Sequence, residues 1–140
     1  MSKSGSDLFK NTAGANRALV DELVSSGEKV SPEKIVGITR IPSGKIVWME
    51  SGNQKSGLQH ILNEHEAQFN KQGVSTEKIP NYVIEAVKQG NIVGTQGSGA
   101  NPRTVYEFIY EGTPRQVAVQ IGSNGYIVSA NPKSMKGNKK

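Results

Sequence analysis

At Gly90 the spacing of apolar residues switches from helical to alternating, and no other feature constrains the fold of this 140-residue chain so strongly. Before the switch, Leu58, Ile61, Leu62 and Phe69 recur on one side of a helix, predicted from an N-cap at Ser56 to about Gln72, with Gly73 as its stop. Ile79, Val83, Ile84 and Val87 give a second helix its buried side. Pro80 suits its first turn, where a missing N–H costs nothing, and Gly90 closes it. After the switch, residues 92–96, 104–111, 116–121 and 126–130 alternate as strands do. Their links are short, the tightest being Gly112–Thr113–Pro114 and Ser123–Asn124–Gly125, and links this short force antiparallel neighbours. The prediction is an α+β fold, with helices packed on a four-stranded antiparallel β-meander.

Upstream, Leu19, Val20, Leu23 and Val24 mark a further helix over residues 15–25, and two β-rich runs flank a turn at Pro42–Gly44 as a hairpin. Residues 1–13 are polar and rich in serine and glycine, and read as a disordered lead-in. The expected organisation is therefore a lead-in and helix over 1–34, one domain over 35–134 and a basic tail over 135–140.

The chain has no cysteine, which excludes disulfide scaffolds, thiolate metal sites and cysteine nucleophiles. No apolar run approaches the roughly 20 residues of a membrane helix, and the start of the chain lacks the apolar stretch of a signal peptide, so a soluble chain is expected. The net charge of +5 suggests a polyanionic partner, but Lys133, Lys136, Lys139 and Lys140 supply +4 of it. From residue 92 to 132, Arg103 and Arg115 only balance Glu107 and Glu111. Binding through counterion release alone would need more positive charge in the body of the domain.

Two histidines, His60 and His65, fall on the first helix of the pair. At helical pitch His65 lies within the apolar stripe and His60 on the opposite side. His65 thus reads as a core histidine and His60 as an exposed one, unless either serves as general acid or base, the role that histidine fills near neutral pH. They stand about 140° apart around the helix, too far to share an ion, and Phe69 replaces the second ligand of a zinc-peptidase helix. No metal and no cofactor is expected. The glycine-rich run at 94–101 leads into a strand rather than a helix, which makes it a connection rather than a phosphate loop.

On the strands, Gln116, Ala118 and Gln120 define a polar or small face, and Ser129 shares a face with Asn131. Arg103 and Glu107 share one side of their strand, with Thr104 and Tyr106 on the other. Either a bulge near 102–104 re-aims Arg103, or one of these sets is buried for structural reasons.

The order GITRIPSGKIVWME, GLQHILNEH, AVKQG, VGTQG, PRTVYEFIY, VAVQIGSNGYIV and SANP, across about residues 35–134, resembles a known group. It is similar to the toxin nuclease domains of the barnase–EndoU–colicin–RelE group, which end bacterial contact-dependent growth inhibition and other polymorphic toxins and occur in some phage proteins. The resemblance implies metal-independent RNA cleavage, often of tRNA, by helices packed on a four-stranded sheet. The group's histidine-helix segment carries over to His60 and His65, its Arg-x-x-Tyr-Glu pattern to Arg103, Tyr106 and Glu107, and its hydroxyl residue before a proline to Ser129, with Asn131 beside it. Asn131 stands where related domains often have an aromatic, and Ser129 where many have threonine. The first fifty or so residues lack the marker sequence of a toxin-domain boundary, as a piece of a longer protein would.

The expected activity is transphosphorylation, in which the ribose 2′-OH attacks its own phosphate. His60 or His65 would act as base or acid, Arg103 would hold the phosphate, Tyr106 would stack on or hydrogen-bond to RNA, and Ser129 would donate to the phosphate. Thr104, Glu107 and Asn131 would line the RNA. The resemblance further implies an immunity protein as inhibitor, delivery from a producing bacterium and action in the target-cell cytoplasm, while the near-neutral sheet suggests a translation factor as activator. The alternative is a non-catalytic protein- or nucleic-acid-binding module on the same scaffold.

Overall fold

Alternation beyond Gly90 and helical periodicity before it produce the α+β fold that they predict. The structure, a computed structural model, describes residues 14–97 and 102–133. In chain order it comprises α1 (Gly14–Ser25), β1 (Ile35–Arg40), β2 (Ile46–Glu50), α2 (Gly57–Lys71), α3 (Ile79–Gln89), β3 (Ile92–Gln96), β4 (Arg103–Tyr110), β5 (Thr113–Ile121) and β6 (Ile127–Lys133). Strands β1 and β2 form an antiparallel hairpin, and β3-β4-β5-β6 form an antiparallel meander in that order.

One face of the meander meets the helices. Tyr106 and Phe108 of β4, Val117 and Val119 of β5 and Ala130 of β6 pack with Ile61 and Phe69 of α2 and with Tyr82, Val83 and Val87 of α3. Helix α2 runs beside β6 in the same direction. The Ser56 and Tyr126 hydroxyls hydrogen-bond at its start (3.0 Å), and Gln72 Nε2 donates to the Lys133 carbonyl just beyond its end (3.1 Å). Ser56 is extended, as an N-cap should be, yet its hydroxyl goes to Tyr126 instead of capping the helix. Helix α3 lies so close to β1 that a Cβ on Gly37 would sit 2.7 Å from Ile84 Cγ1.

The hairpin has a core on either side. Val36, Val47 and Met49 join the main core, whereas Ile38, Ile46 and Trp48 pack with Leu23, Leu19 and Val20 of α1. Helix α1 is thus packed on the domain. The Arg40–Glu22 ion pair (2.5 Å) that also ties it is exposed and contributes less than about 1 kcal/mol. A parallel bridge between Trp48 and Tyr126, with Trp48 N–H donating to the Gly125 carbonyl (3.0 Å), joins hairpin to meander.

Two strand ends differ from expectation. Strand β6 continues through Asn131 and Pro132 to Lys133, because it is an edge strand and a proline there forfeits no ladder bond. The β4–β5 turn is Glu111–Gly112, one residue earlier than predicted, with φ of 51° and 82° and with Tyr110 paired to Thr113. Positive φ at both central residues is the primed hairpin geometry, which a glutamate fills poorly. Glu111→Asn is expected to raise stability by about 0.5–1 kcal/mol, measured by urea unfolding. An unchanged or lower midpoint would show that the glutamate is not strained.

Tyr82 sits at the centre of an aromatic cluster, edge-on to Phe69, Phe108 and Tyr110 with ring centroids 5.8, 5.0 and 4.6 Å away. Such pairs contribute about 0.5–1.5 kcal/mol each beyond area burial. Burial pushes the Tyr82 phenol above its usual range against the opposing pull of Arg115, and burial alone raises Tyr106. A raised phenol pKa means that the folded state holds these protons more tightly than the unfolded chain. Their contribution is therefore full below about pH 10 and is lost as pH rises beyond it. In an alkaline titration, part of the tyrosinate absorbance of the chain's four tyrosines should appear only together with loss of circular dichroism. Reversible ionisation of all four in a fully folded chain would contradict this. No helix among the described residues is long and apolar enough to cross a membrane.

Candidate functional site

Among the described residues no helix packs on the other face of the meander, and strand register assigns its residues. Gln96 pairs with Arg103, Val105 with Ala118, Glu107 with Gln116, Ala118 with Asn131, Gln120 with Ser129, and Gln116 with Lys133. All of these stand opposite Tyr106, Val117, Val119 and Ala130, whose side chains fill the core.

Asn131 is the centre of this face. Its Oδ1 accepts from Arg103 Nη1 (2.5 Å) and Gln96 Nε2 (3.2 Å), while its Nδ2 donates to Gln96 Oε1 and to the Pro132 carbonyl (3.3 Å each). Gln96 and Asn131 belong to the two edge strands, which in a flat sheet would lie about 14 Å apart, three strand spacings. Two short amides close that gap only if the sheet curls, so this face is concave.

Arg103 is half-buried, and burial lowers its pKa from the usual guanidinium range. Among the described residues no carboxylate stands within ion-pair distance of it. Its charge is held by a neutral amide oxygen, an arrangement that leaves it ready for an anion. Two residues before Asn131, Ser129 is fully buried, and its Oγ has no hydrogen-bond partner among the described residues. Glu107 Oε1 accepts from Gln116 Nε2 (3.0 Å) farther along the same face.

The structure thus brings together Arg103, Glu107, Ser129 and Asn131 of the expected site. It does not bring Tyr106 and Thr104 to them. The β4–β5 register is unbroken from Thr104 to Tyr110, and the irregularities lie at Ile92/Gly94 and Gln120/Ile121, so no bulge re-aims Arg103. Tyr106 faces the main core beneath the helices, on the opposite side of the sheet from Arg103, which leaves no ring on this face to stack on RNA. This corrects the expected role of Tyr106, and Thr104 lies on the same side of the strand.

The histidines are in the helix layer. Both are half-buried, so His65 is not the core residue and His60 not the fully exposed one that the helical wheel suggests. His60 Nδ1 pairs with the Gln54 carbonyl (2.9 Å) and His65 Nδ1 with Gln68 Oε1 (2.6 Å). The stripe of α2 that packs on the sheet meets its core face, so the sheet stands between this layer and the Arg103 network.

Gln96 is the residue that the sequence reading missed. The signal was available: folding residues 92–96 back on the strand from Arg103 puts the two in register. Among the described residues, no group of three or more His, Asp or Glu side chains could hold a metal ion. The lead-in at 1–13, the glycine-rich connection at 98–101 and the tail from 134 lie outside the described residues. No protein-family model matches the sequence, and no curated protein matches it significantly.

Proposed function

We propose that the chain is a metal-independent RNA endonuclease of the transphosphorylating type, with tRNA as the substrate class that the sequence resemblance suggests. The observation that carries this reading is Arg103, a half-buried cation without a carboxylate partner among the described residues, on a concave helix-free face beside the unpartnered Ser129 hydroxyl. Arg103 holds the scissile phosphate, and the buried, unpartnered Ser129 hydroxyl donates to one of its oxygens once the Asn131 network opens to the RNA. The 2′-oxygen forms a bond to phosphorus while the bond to the 5′-oxygen breaks. The 2′-OH proton passes to a base and the leaving oxygen receives one, giving a 2′,3′-cyclic phosphate and a 5′-OH. Glu107 is the proton acceptor carried by this face itself, and the leaving oxygen takes its proton from water, because the sheet separates His60 and His65 from the phosphate. On the same reading a producing bacterium delivers the domain, which acts in the target-cell cytoplasm. An immunity protein covers the face, and a translation factor assists RNA binding.

A second reading, a phosphate-binding module without catalysis, is favoured by one observation: both histidines find their partners on or beside their own helix. The two are separated by incubating total bacterial RNA and DNA with wild type, Glu107→Gln, His60→Ala and His65→Ala in EDTA, with and without cell extract. Cleavage of RNA alone, ending in cyclic phosphate, abolished by Glu107→Gln and kept by both histidine variants, is expected. Cleavage of DNA would overturn the 2′-OH mechanism. RNA bound but uncut under every condition would leave the binding module as the function.

A further inference from the structure

The hydrogen bonds of Asn131 go beyond holding Arg103. A side-chain amide has two donor hydrogens and two acceptor lone pairs, and Asn131 uses all four. Two of the four make a reciprocal pair with Gln96, amide edge to amide edge, at 3.2 and 3.3 Å. A donor and an acceptor side by side are what adenine offers at N6 and N7, and a side-chain amide reads that edge with two parallel hydrogen bonds.

The pair is not symmetric. Asn131 is buried at 8 % exposure and stays anchored by Arg103 on one atom and the Pro132 carbonyl on the other. Gln96 ends an edge strand whose other residues, Ile92 to Thr95, are all exposed, and its side chain is held by this pair. If the pair opens, Gln96 is the side that gives way. One lone pair of Oδ1 and one hydrogen of Nδ2 then become available together, next to the guanidinium that has no carboxylate partner.

We infer that Asn131 reads a base of the bound RNA, adenine foremost, and that the Gln96 amide occupies that base's place in the free protein. The inference rests on the reading of this face as an RNA site, and it names what lies beside the phosphate held by Arg103. Guanine presents two acceptors on the corresponding edge, O6 and N7, and would leave Asn131 Oδ1 facing another acceptor.

The test is binding rather than cleavage, so that it does not depend on catalysis. Fluorescently labelled pentanucleotides of A, C, G or U with 2′-deoxyriboses, which cannot transphosphorylate, are titrated into the full chain and followed by anisotropy. Wild type should bind the adenine pentamer roughly tenfold more tightly than the uracil pentamer, the scale of one bidentate base contact. Gln96→Ala should tighten adenine binding several-fold, because it removes the internal competitor, and should change uracil binding little. Asn131→Leu, shown to be folded by its circular dichroism, should lose the preference. If that variant does not fold, the comparison of wild type with Gln96→Ala still decides. Equal binding of all four pentamers, or loss of the adenine preference in Gln96→Ala, would overturn the inference while leaving an RNA site in place. Failure of every pentamer to bind would overturn the inference, since the base edge that Asn131 reads is present in these probes.

Discussion

Replacing Arg103 with alanine should reduce RNA cleavage by about 10²–10³-fold while leaving the thermal midpoint nearly unchanged. The two halves of this expectation follow from the same observation. Arg103 is half-buried, and burial disfavours its charge, yet no carboxylate among the described residues compensates it. Removing it therefore abolishes no ion pair and relieves some desolvation, so the stability change should stay within about 1 kcal/mol. Asn131 Oδ1 retains its bond from Gln96 and is not orphaned. The negative charge developing on the phosphoryl oxygens, in contrast, would lose the half-buried cation at the centre of this concave face. Arg103→Lys should restore little, because a point charge cannot hold the amide oxygen and a phosphate at once through a planar fork. Initial rates on a tRNA substrate and thermal scans of the same preparations check both halves. A variant that unfolds in step with its loss of activity would make Arg103 a structural residue. One that cleaves normally would move the site off this face.

Much of this arrangement was legible in the sequence, because it depends on period. The change of spacing at Gly90 separates helices from strands, and the short links dictate the antiparallel meander. Alternation alone puts Arg103 with Glu107, and Ser129 with Asn131. It could not decide whether the Thr104 and Tyr106 side or the Arg103 and Glu107 side was the open one, since both carry polar atoms. The decision is tertiary: Tyr106 lies opposite Val117, beneath the helices, and a phenol is apolar enough to belong there. Gln96 was missed because glutamine at a strand end has no signature of its own. Its significance comes from sheet curvature, which brings the two edge strands within reach of one hydrogen bond. The helical wheel misjudged both histidines for a related reason. Helix α2 packs along an edge strand, so residues on both flanks of its stripe are covered in part.

Substituting Gly125 with alanine should be among the most damaging single-methyl changes in the described part of the chain, costing about 3–5 kcal/mol. Asn124–Gly125 reads in the sequence as an ordinary hairpin turn, and a turn glycine replaced by alanine costs only backbone strain. Gly125 does have φ of 103°, but it carries a second constraint. A Cβ there would lie 2.3 Å from the Ile46 carbonyl oxygen and 3.3 Å from the Trp48 ring. A carbonyl within a strand has no freedom to retreat, and Gly125 must stay close because its own carbonyl accepts the Trp48 N–H. Gly112→Ala is the matched control. It has a similar φ of 82° with no atom within 4 Å of the added carbon, and should cost about 1–2 kcal/mol. The difference between the two isolates the price of holding the hairpin against the meander. Urea unfolding followed by the fluorescence of Trp48, the only tryptophan, reports on that junction directly. Because Val36, Val47 and Met49 of the hairpin lie in the main core, the loss should appear as one cooperative transition at lower urea. A variant whose tryptophan became exposed well before its circular dichroism collapsed would instead identify α1 and the hairpin as a separate folding unit. Equal costs for the two glycines would show that the junction yields to an added methyl.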